Sequence, residues 1–232
     1  MPKQTKVDTL ILSDLHLGAP TSKPKKISAL LNHLKFKRLI LLGDIFDSSD
    51  FTRLDPDHLS LLSLIKSLAR KGVEIIWIRG NHDDIHEVAK FIGTPLREEY
   101  VWDHGGKRFL AIHGDQFDDF PQELSKIDRL AHLIFLRIQR IDKRGRHLVK
   151  LIDYANARIR RLSAKVARGA IRHALNRDAN YVFCGHTHLT MRQQHENGDS
   201  SVEYVNTGCW THTPSTFAVV GEDSGVSIEK FK

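Results

Sequence analysis

Short apolar runs recur along the chain at 9–12, 39–42, 73–78, 109–112 and 181–184. Each is followed within a few residues by Asp, His or Gly. Runs of this length, rich in β-branched and aromatic residues, read as buried strands. Between the first three runs the pattern changes to helical spacing. A helix is predicted over 27–34. A second opens at Asp55-Pro56-Asp57, with Pro in the first turn and acids at the positive end of the dipole. Leu59, Leu62, Ile65 and Leu68 form its apolar stripe, and Lys71-Gly72 ends it. A short helix is expected after Asp83, running to Phe91. Gly105-Gly106, between apolar segments at 101–104 and 107–112, reads as a hairpin turn.

From about 121 to 176 the chain changes character. Gly and Pro nearly vanish and bases crowd in, among them Arg137, Arg140, Lys143, Arg144, Arg158, Arg160, Arg161, Lys165, Arg168 and Arg172. Two helices are predicted, 123–141 and 146–175, broken near Gly145. In the second, Leu148, Ile152, Ala155, Ile159, Leu162 and Val166 recur every three or four residues, so one face is apolar and the other basic. Strands return at 181–184, 202–206, 217–220 and 226–230, with Asn197-Gly198 as a hairpin signal. The order is βαβαβ, then a basic helical insertion or cap, then an antiparallel run of strands, all in one α/β domain over 1–232.

The bulk composition narrows the setting. At 232 residues, 41% hydrophobic and 27% charged, the chain is that of a globular protein with a sizeable core. A net charge of +7 favours anionic partners. Cys184 and Cys209 are too few for a disulfide framework, and no stretch approaches the ~20 apolar residues of a membrane span. The apolar run after Met1-Pro2-Lys3 is too short for a signal sequence. The expected location is cytoplasmic.

Five polar pieces follow the apolar runs: Asp14-Leu15-His16, Gly43-Asp44, Gly80-Asn81-His82-Asp83, His113-Gly114-Asp115 and Gly185-His186-Thr187-His188. Polar groups at successive strand ends mark a site on the rim of a sheet. Residues two apart in extended chain share a face, so Asp14 with His16, and His186 with His188, are expected to reach one point. Asp14, His16, Asp44, Asn81, His113, His186 and His188 are more donors than one tetrahedral zinc needs. They suit two divalent ions with mixed nitrogen and oxygen ligands, Mn2+ first, with Fe and Zn2+ as alternatives. Two such ions ~3.5–4 Å apart form a clamp for phosphoryl displacement by a hydroxide generated on the metals. His82 is left as a non-ligand imidazole that protonates the leaving oxygen or holds a phosphate oxygen, and Asp83 either fixes its tautomer or caps the next helix.

These residues resemble the calcineurin-like metallophosphoesterase family, whose pattern D-x-H, G-D-x-x, G-N-H-D/E, H, G-H-x-H is complete here. The resemblance implies a four-layer sandwich of two mixed β-sheets flanked by helices. It also implies Asp14, His16 and His188 on one metal, Asn81, His113 and His186 on the other, Asp44 bridging, and His82 as the phosphate-contacting acid. A narrower likeness, carried by Ser13-Asp14-Leu15-His16-Leu17-Gly18, His113 to Asp118 and Tyr204 to Trp210, is to the UDP-2,3-diacylglucosamine hydrolase branch. That branch cleaves a pyrophosphate bond in a lipid A precursor at the inner membrane. The chain departs from it in carrying His82 for Arg and Cys209 for an acid.

The expected function is therefore hydrolysis of a phosphodiester or pyrophosphate, with a lipid-linked sugar nucleotide such as UDP-2,3-diacylglucosamine as first substrate. The alternatives are a nuclease, a cyclic-nucleotide phosphodiesterase, and a scaffold that keeps the fold without the chemistry. The basic helices are expected to meet solvent or an anionic membrane surface at its inner face. Nucleic acid is not favoured, because regularly interleaved aromatics are missing from the basic segment. Asp47 and Asp115 are balanced between support of the site and loop structure. His33, His58, His86, His132, His147, His173 and His195 are read as surface residues, Cys184 and Cys209 as structural, and His212 as a residue near the metals at most.

Overall fold

A computed structural model describes residues 6–83, 93–118, 146–198 and 200–231. The helices predicted over 84–91 and 123–141 lie outside them. In the first sheet β1 (Lys6–Leu12), β2 (Lys35–Leu42), β3 (Glu74–Ile78) and the short β4 (Leu96–Arg97) run parallel. β10 (Ser215–Val220) and β11 (Val226–Phe231) extend its other edge antiparallel, giving the order β11-β10-β1-β2-β3-β4. The second sheet has the order β5-β6-β7-β9-β8, built from β5 (Glu99–His104), β6 (Lys107–Ile112), β7 (Tyr181–Cys184), β8 (Met191–Asn197) and β9 (Ser200–Asn206). Here β6, β7 and β9 are parallel, and only the edge strands β5 and β8 are antiparallel. Of the expected antiparallel run, β10 and β11 do pair antiparallel, but in the first sheet, while β7 and β9 are parallel neighbours in the second.

Residue parity sorts the side chains into layers. Leu10, Leu12, Leu39, Leu41, Ile75 and Trp77 face α1 (Pro24–His33) and α2 (Pro56–Arg70). Their neighbours Ile11, Ile40, Leu42, Ile76 and Ile78 face Phe109, Ala111, Phe183 and Val205 between the sheets. On the far side Leu110, Ile112, Val182 and Tyr204 pack against Ala167, Ala170, Ile171 and Ala174 of α3 (Arg146–Leu175). Burial on both faces is why these strands are continuously apolar. Helix, sheet, sheet and helix form the expected four-layer sandwich, and the C-terminal half of the segment read as an insertion is itself the fourth layer.

Three helical readings change in detail. In α2 the buried positions are His58, Leu61, Leu62 and Ile65, whereas Leu59 is exposed. His58 is not a surface residue. Asp55 Oδ1 accepts from the His58 N–H while the His58 ring accepts from the Asp55 N–H, a reciprocal cap of the helix start. In α3, Val166 is buried but Ile159 is exposed, so among the described side chains the predicted stripe is not buried throughout.

Candidate metal centre

The five polar pieces leave the C-terminal ends of β1, β2, β3, β6 and β7, and the topology gathers them on one rim between the sheets. The backbone there is not extended. Asp14, His16, Asp44, His186 and His188 have φ of 53°, 45°, 51°, 64° and 56°. With both residues left-handed, Asp14 and His16 still meet in one donor group, whereas His186 and His188 go to different groups, so the extended-chain expectation for the i, i+2 pairs is corrected. Such a conformation costs a non-glycine residue about 1–2 kcal/mol and persists only where surroundings hold it. They do so here. Asp14 donates its N–H to Gly43 O and its carbonyl accepts from Trp210 N–H, while His16 donates to Asp44 O. Ser13 is tied to Thr207 and Gly208, and the Asn206 amide donates to Gly185 O and Thr187 Oγ1. Gly43 has φ +79°, and a Cβ there would strike the His113 ring.

Two groups of donors result. Asp14, His16 and His188 form one, with His188 Nε2 3.0 Å from Asp14 Oδ1 and 3.1 Å from His16 Nε2. Asp44, His113 and His186 form the other, with Asp44 Oδ2 3.4 Å from His113 Nε2. The same Oδ2 is 3.9 Å from His16 Nε2, so Asp44 stands between the groups. Asn81 joins the second group, its Oδ1 3.1 Å from His186 Nδ1. Asp14 Oδ1 and His113 Nε2 are buried without a hydrogen-bond partner. Both are lone-pair atoms, one oxygen and one nitrogen, and a divalent ion with mixed ligands is what satisfies the two together.

Each imidazole is backed on its far side, as metal-ligating histidines are. His113 Nδ1–H donates to Leu42 O at 2.9 Å, which leaves Nε2 free for an ion. His186 Nε2 lies 3.0 Å from Asp118 Oδ2, and His16 Nδ1 3.7 Å from Asp47 Oδ1. The Cys209 sulfur lies within 4.8 Å of a ring nitrogen of both His188 and His212. The sequence predicts no role for Asp118, a structural one for Cys209 and a place near the metals at most for His212. Asp118 and Cys209 lie in the motifs His113 to Asp118 and Tyr204 to Trp210, which is where their signal lies.

The charges explain one another. Burial disfavours charge on Asp44, yet His113, His82 and His16 hold its carboxyl well below the usual range. Burial pushes the His113 imidazole down, but Asp44 and Asp14 overcome it and raise it to about 10. His188 is raised by Asp14 and Cys209 against burial, while burial wins at His16. Two buried carboxylates favour positive charge at this point, whether protons or a divalent ion.

His82 and Asp83 do not act as the expected pair. The His82 ring bonds the backbone carbonyl of Asp47, with Nδ1 at 2.9 Å, so that carbonyl sets its tautomer. Asp83 is fully buried and accepts from Ile45 N–H (2.9 and 3.1 Å), Phe46 N–H (3.0 Å) and Gly80 N–H (3.3 Å). It clamps the loop that presents Asp44. Asp47 also holds Arg53, with Nη1 2.6 Å from Oδ2, while Asp115 opens the single-turn helix Asp115–Phe117.

A family model described as calcineurin-like phosphoesterase matches residues 8–189. The chain is 28% identical over 247 aligned positions to UDP-2,3-diacylglucosamine hydrolase of Photorhabdus laumondii, covering 96% of this chain and 98% of that one. It is 28% identical to the enzyme of the same name from Escherichia coli, covering 93% and 95%. Among solved structures, the phosphoesterase Yfce of E. coli superposes with a TM-score of 0.52 at 15% identity, covering 97% of this chain and 99% of that one. The last likeness concerns the fold alone.

Proposed function

The chain belongs to the calcineurin-like phosphoesterase family, and on that premise we propose that it is a dinuclear enzyme cleaving a phosphodiester or diphosphate bond. The family makes it a metal-dependent phosphoesterase. The observation that carries the finer reading is the pair of donor groups with Asp44 between them. When bound, two divalent ions acidify a water and neutralise phosphoryl charge. Asp14, His16 and His188 hold one and Asn81, His113 and His186 the other, with Asp44 shared. Mn2+ is the first candidate and Fe or Zn2+ the alternatives.

His82 completes the chemistry. Asp47 O holds the Nδ1 proton, so Nε2–H of the imidazolium form is the group that would hand its proton to the leaving oxygen, leaving the ring neutral, or steady a phosphoryl oxygen. The His82 backbone N–H donates to Asp44 Oδ1 at 2.9 Å, which ties it to the metal-bridging carboxylate. His82→Ala is expected to lower kcat roughly a hundredfold or more while metal content stays at the wild-type value. Loss of metal in that variant would reassign His82 to the ligand set.

A second feature bears on the substrate. A cavity of about 450 Å3 lies between the 18–26 segment and the start of α2, lined by Lys23, Lys25, Lys26 and Arg53 among others. Arg53 is one contact from the centre through Asp47. Asp55 and Asp57 also line it, so the cations outnumber the acids. This supports a substrate with a second anionic group next to the scissile phosphate, as in a diphosphate. UDP-2,3-diacylglucosamine, the substrate in the relatives' names, is the first to try. The exposed bases of α3, Arg160, Arg161, Arg168 and Arg172, offer a surface for anionic lipid. Lys26→Glu is expected to lower kcat/KM on the sugar diphosphate about tenfold more than on bis-(p-nitrophenyl) phosphate. Equal losses on both would remove the cavity from the substrate path.

The overall test is metal analysis with turnover. About two ions per chain and Mn2+-supported hydrolysis of bis-(p-nitrophenyl) phosphate are expected. A metal-free protein inert with added Mn2+ refutes the enzyme. UDP-2,3-diacylglucosamine, DNA and cyclic nucleotides assayed side by side then choose among the substrate classes.

A further inference from the structure

Cys209 follows β9 and is 3% exposed, with Thr211 Oγ1 donating to its sulfur at 3.3 Å. His212 is exposed, and its ring centre lies 5.8 Å from that of His188. One ligand atom from each of His188, Cys209 and His212 lies within 4.8 Å of the other two. Ligands of one tetrahedral ion, with metal–sulfur and metal–nitrogen bonds of about 2.3 and 2.1 Å, stand roughly 3.5 Å apart. Small side-chain rotations close the difference. A sulfur and two imidazoles select a thiophilic ion such as Zn2+ or Cd2+, whereas the oxygen-rich groups next door suit Mn2+. His212 gives the ion a path from solvent.

We propose that His188, Cys209 and His212 form a separate thiophilic metal site whose occupation inhibits the enzyme. The two sites share His188. Its Nε2 faces Asp14 and His16, and Cys209 lies beside the same ring. An ion held by Cys209 and His212 draws the neighbouring His188 ring toward itself and out of line with Asp14. Lys23 donates to His212 O, Thr213 Oγ1 and Ser215 Oγ, so its ammonium does not compete with an ion for the Cys209 sulfur. Binding at this site is independent of the proposed function, while the inhibition rests on it.

The test titrates Cd2+ into the Mn2+-loaded protein. The expected result is a cadmium–thiolate absorption band that saturates at one ion per chain, with hydrolysis of bis-(p-nitrophenyl) phosphate falling in step. Cys209→Ser should abolish the band, and it and His212→Ala should each raise the Cd2+ concentration for half-inhibition about tenfold or more, the size of effect expected when a ligand or its support is lost. His212 is exposed, so that variant decides the matter if the serine variant fails to fold. A band that survives in Cys209→Ser overturns the site, and a normal band without inhibition overturns the sharing of His188. If the wild type hydrolyses nothing with any metal, the phosphoesterase reading fails, and the band still decides the site.

Discussion

Asp44→Asn is expected to cost at least about a thousandfold in kcat/KM on bis-(p-nitrophenyl) phosphate, roughly 4 kcal/mol of barrier. The side chain keeps its shape and one oxygen, so the His82 N–H can still be accepted by Oδ1. What is lost is the negative charge and the second oxygen. Oδ2 is the atom that stands 3.4 Å from His113 Nε2 and 3.9 Å from His16 Nε2. An amide NH2 at this place points a donor at the ions instead of an acceptor, and the field that keeps positive charge at His113 collapses with it. Metal content should therefore fall from about two ions to one or fewer, read by elemental analysis of the purified variant. The melting temperature of metal-free protein should fall, because Asp44 is held ionised by His113, His82 and His16, and the amide leaves the buried charge at His113 with less compensation. A variant that retains both ions and near-normal turnover refutes the shared role of Asp44.

The strands carrying these residues were legible because they are parallel and buried on both faces. Leu39-Ile40-Leu41-Leu42 and Phe109-Leu110-Ala111-Ile112 face a core whichever way a side chain points. β8 was invisible for the opposite reason. Its residues Arg192, Gln193, Gln194, His195 and Glu196 are exposed on a sheet edge, so no alternation marks it, and its pairing with β9 rests on the Asn197-Gly198 turn. The parallel pairing of β6, β7 and β9 was equally hidden, since strand direction depends on connections rather than on local pattern. In the site, residue types showed the donors, but the backing contacts of Asp118, Asp47 and Cys209 depend on loops meeting across the sequence. The left-handed backbone at Asp14, His16, Asp44, His186 and His188 has no sequence signature beyond the neighbouring glycines.

Asp83 carries the other large expectation. Asp83→Ala strips the acceptor from three backbone N–H groups, those of Ile45, Phe46 and Gly80. Each buried donor left unpaired costs about 1–3 kcal/mol, and partial relaxation of the loop brings the total to about 3–5 kcal/mol. For a chain of this size that is a fall of roughly 10 °C in melting temperature. Activity should fall with it, because the same loop aims Asp44 at both donor groups, so metal content drops even at temperatures where the variant is folded. The loss should also depend on pH in a defined direction. Burial first, and the charge of Asp44 next, lift the Asp83 carboxyl from 3.8 to about 6 in the folded chain, against the three donors that favour its ionised form. A folded value above the unfolded one means that the native state takes up the proton first. The contribution of Asp83 is then fully present below about pH 4 and shrinks as pH rises through 6. In metal-free protein the gap in stability between wild type and Asp83→Ala is expected to widen from pH 7 to pH 4.5, measured by denaturant titration at each pH. A gap that narrows over that range shows that the hydrogen bonds outweigh burial and that Asp83 is a stabilised carboxylate. No gap at any pH shows that the loop holds Asp44 without it.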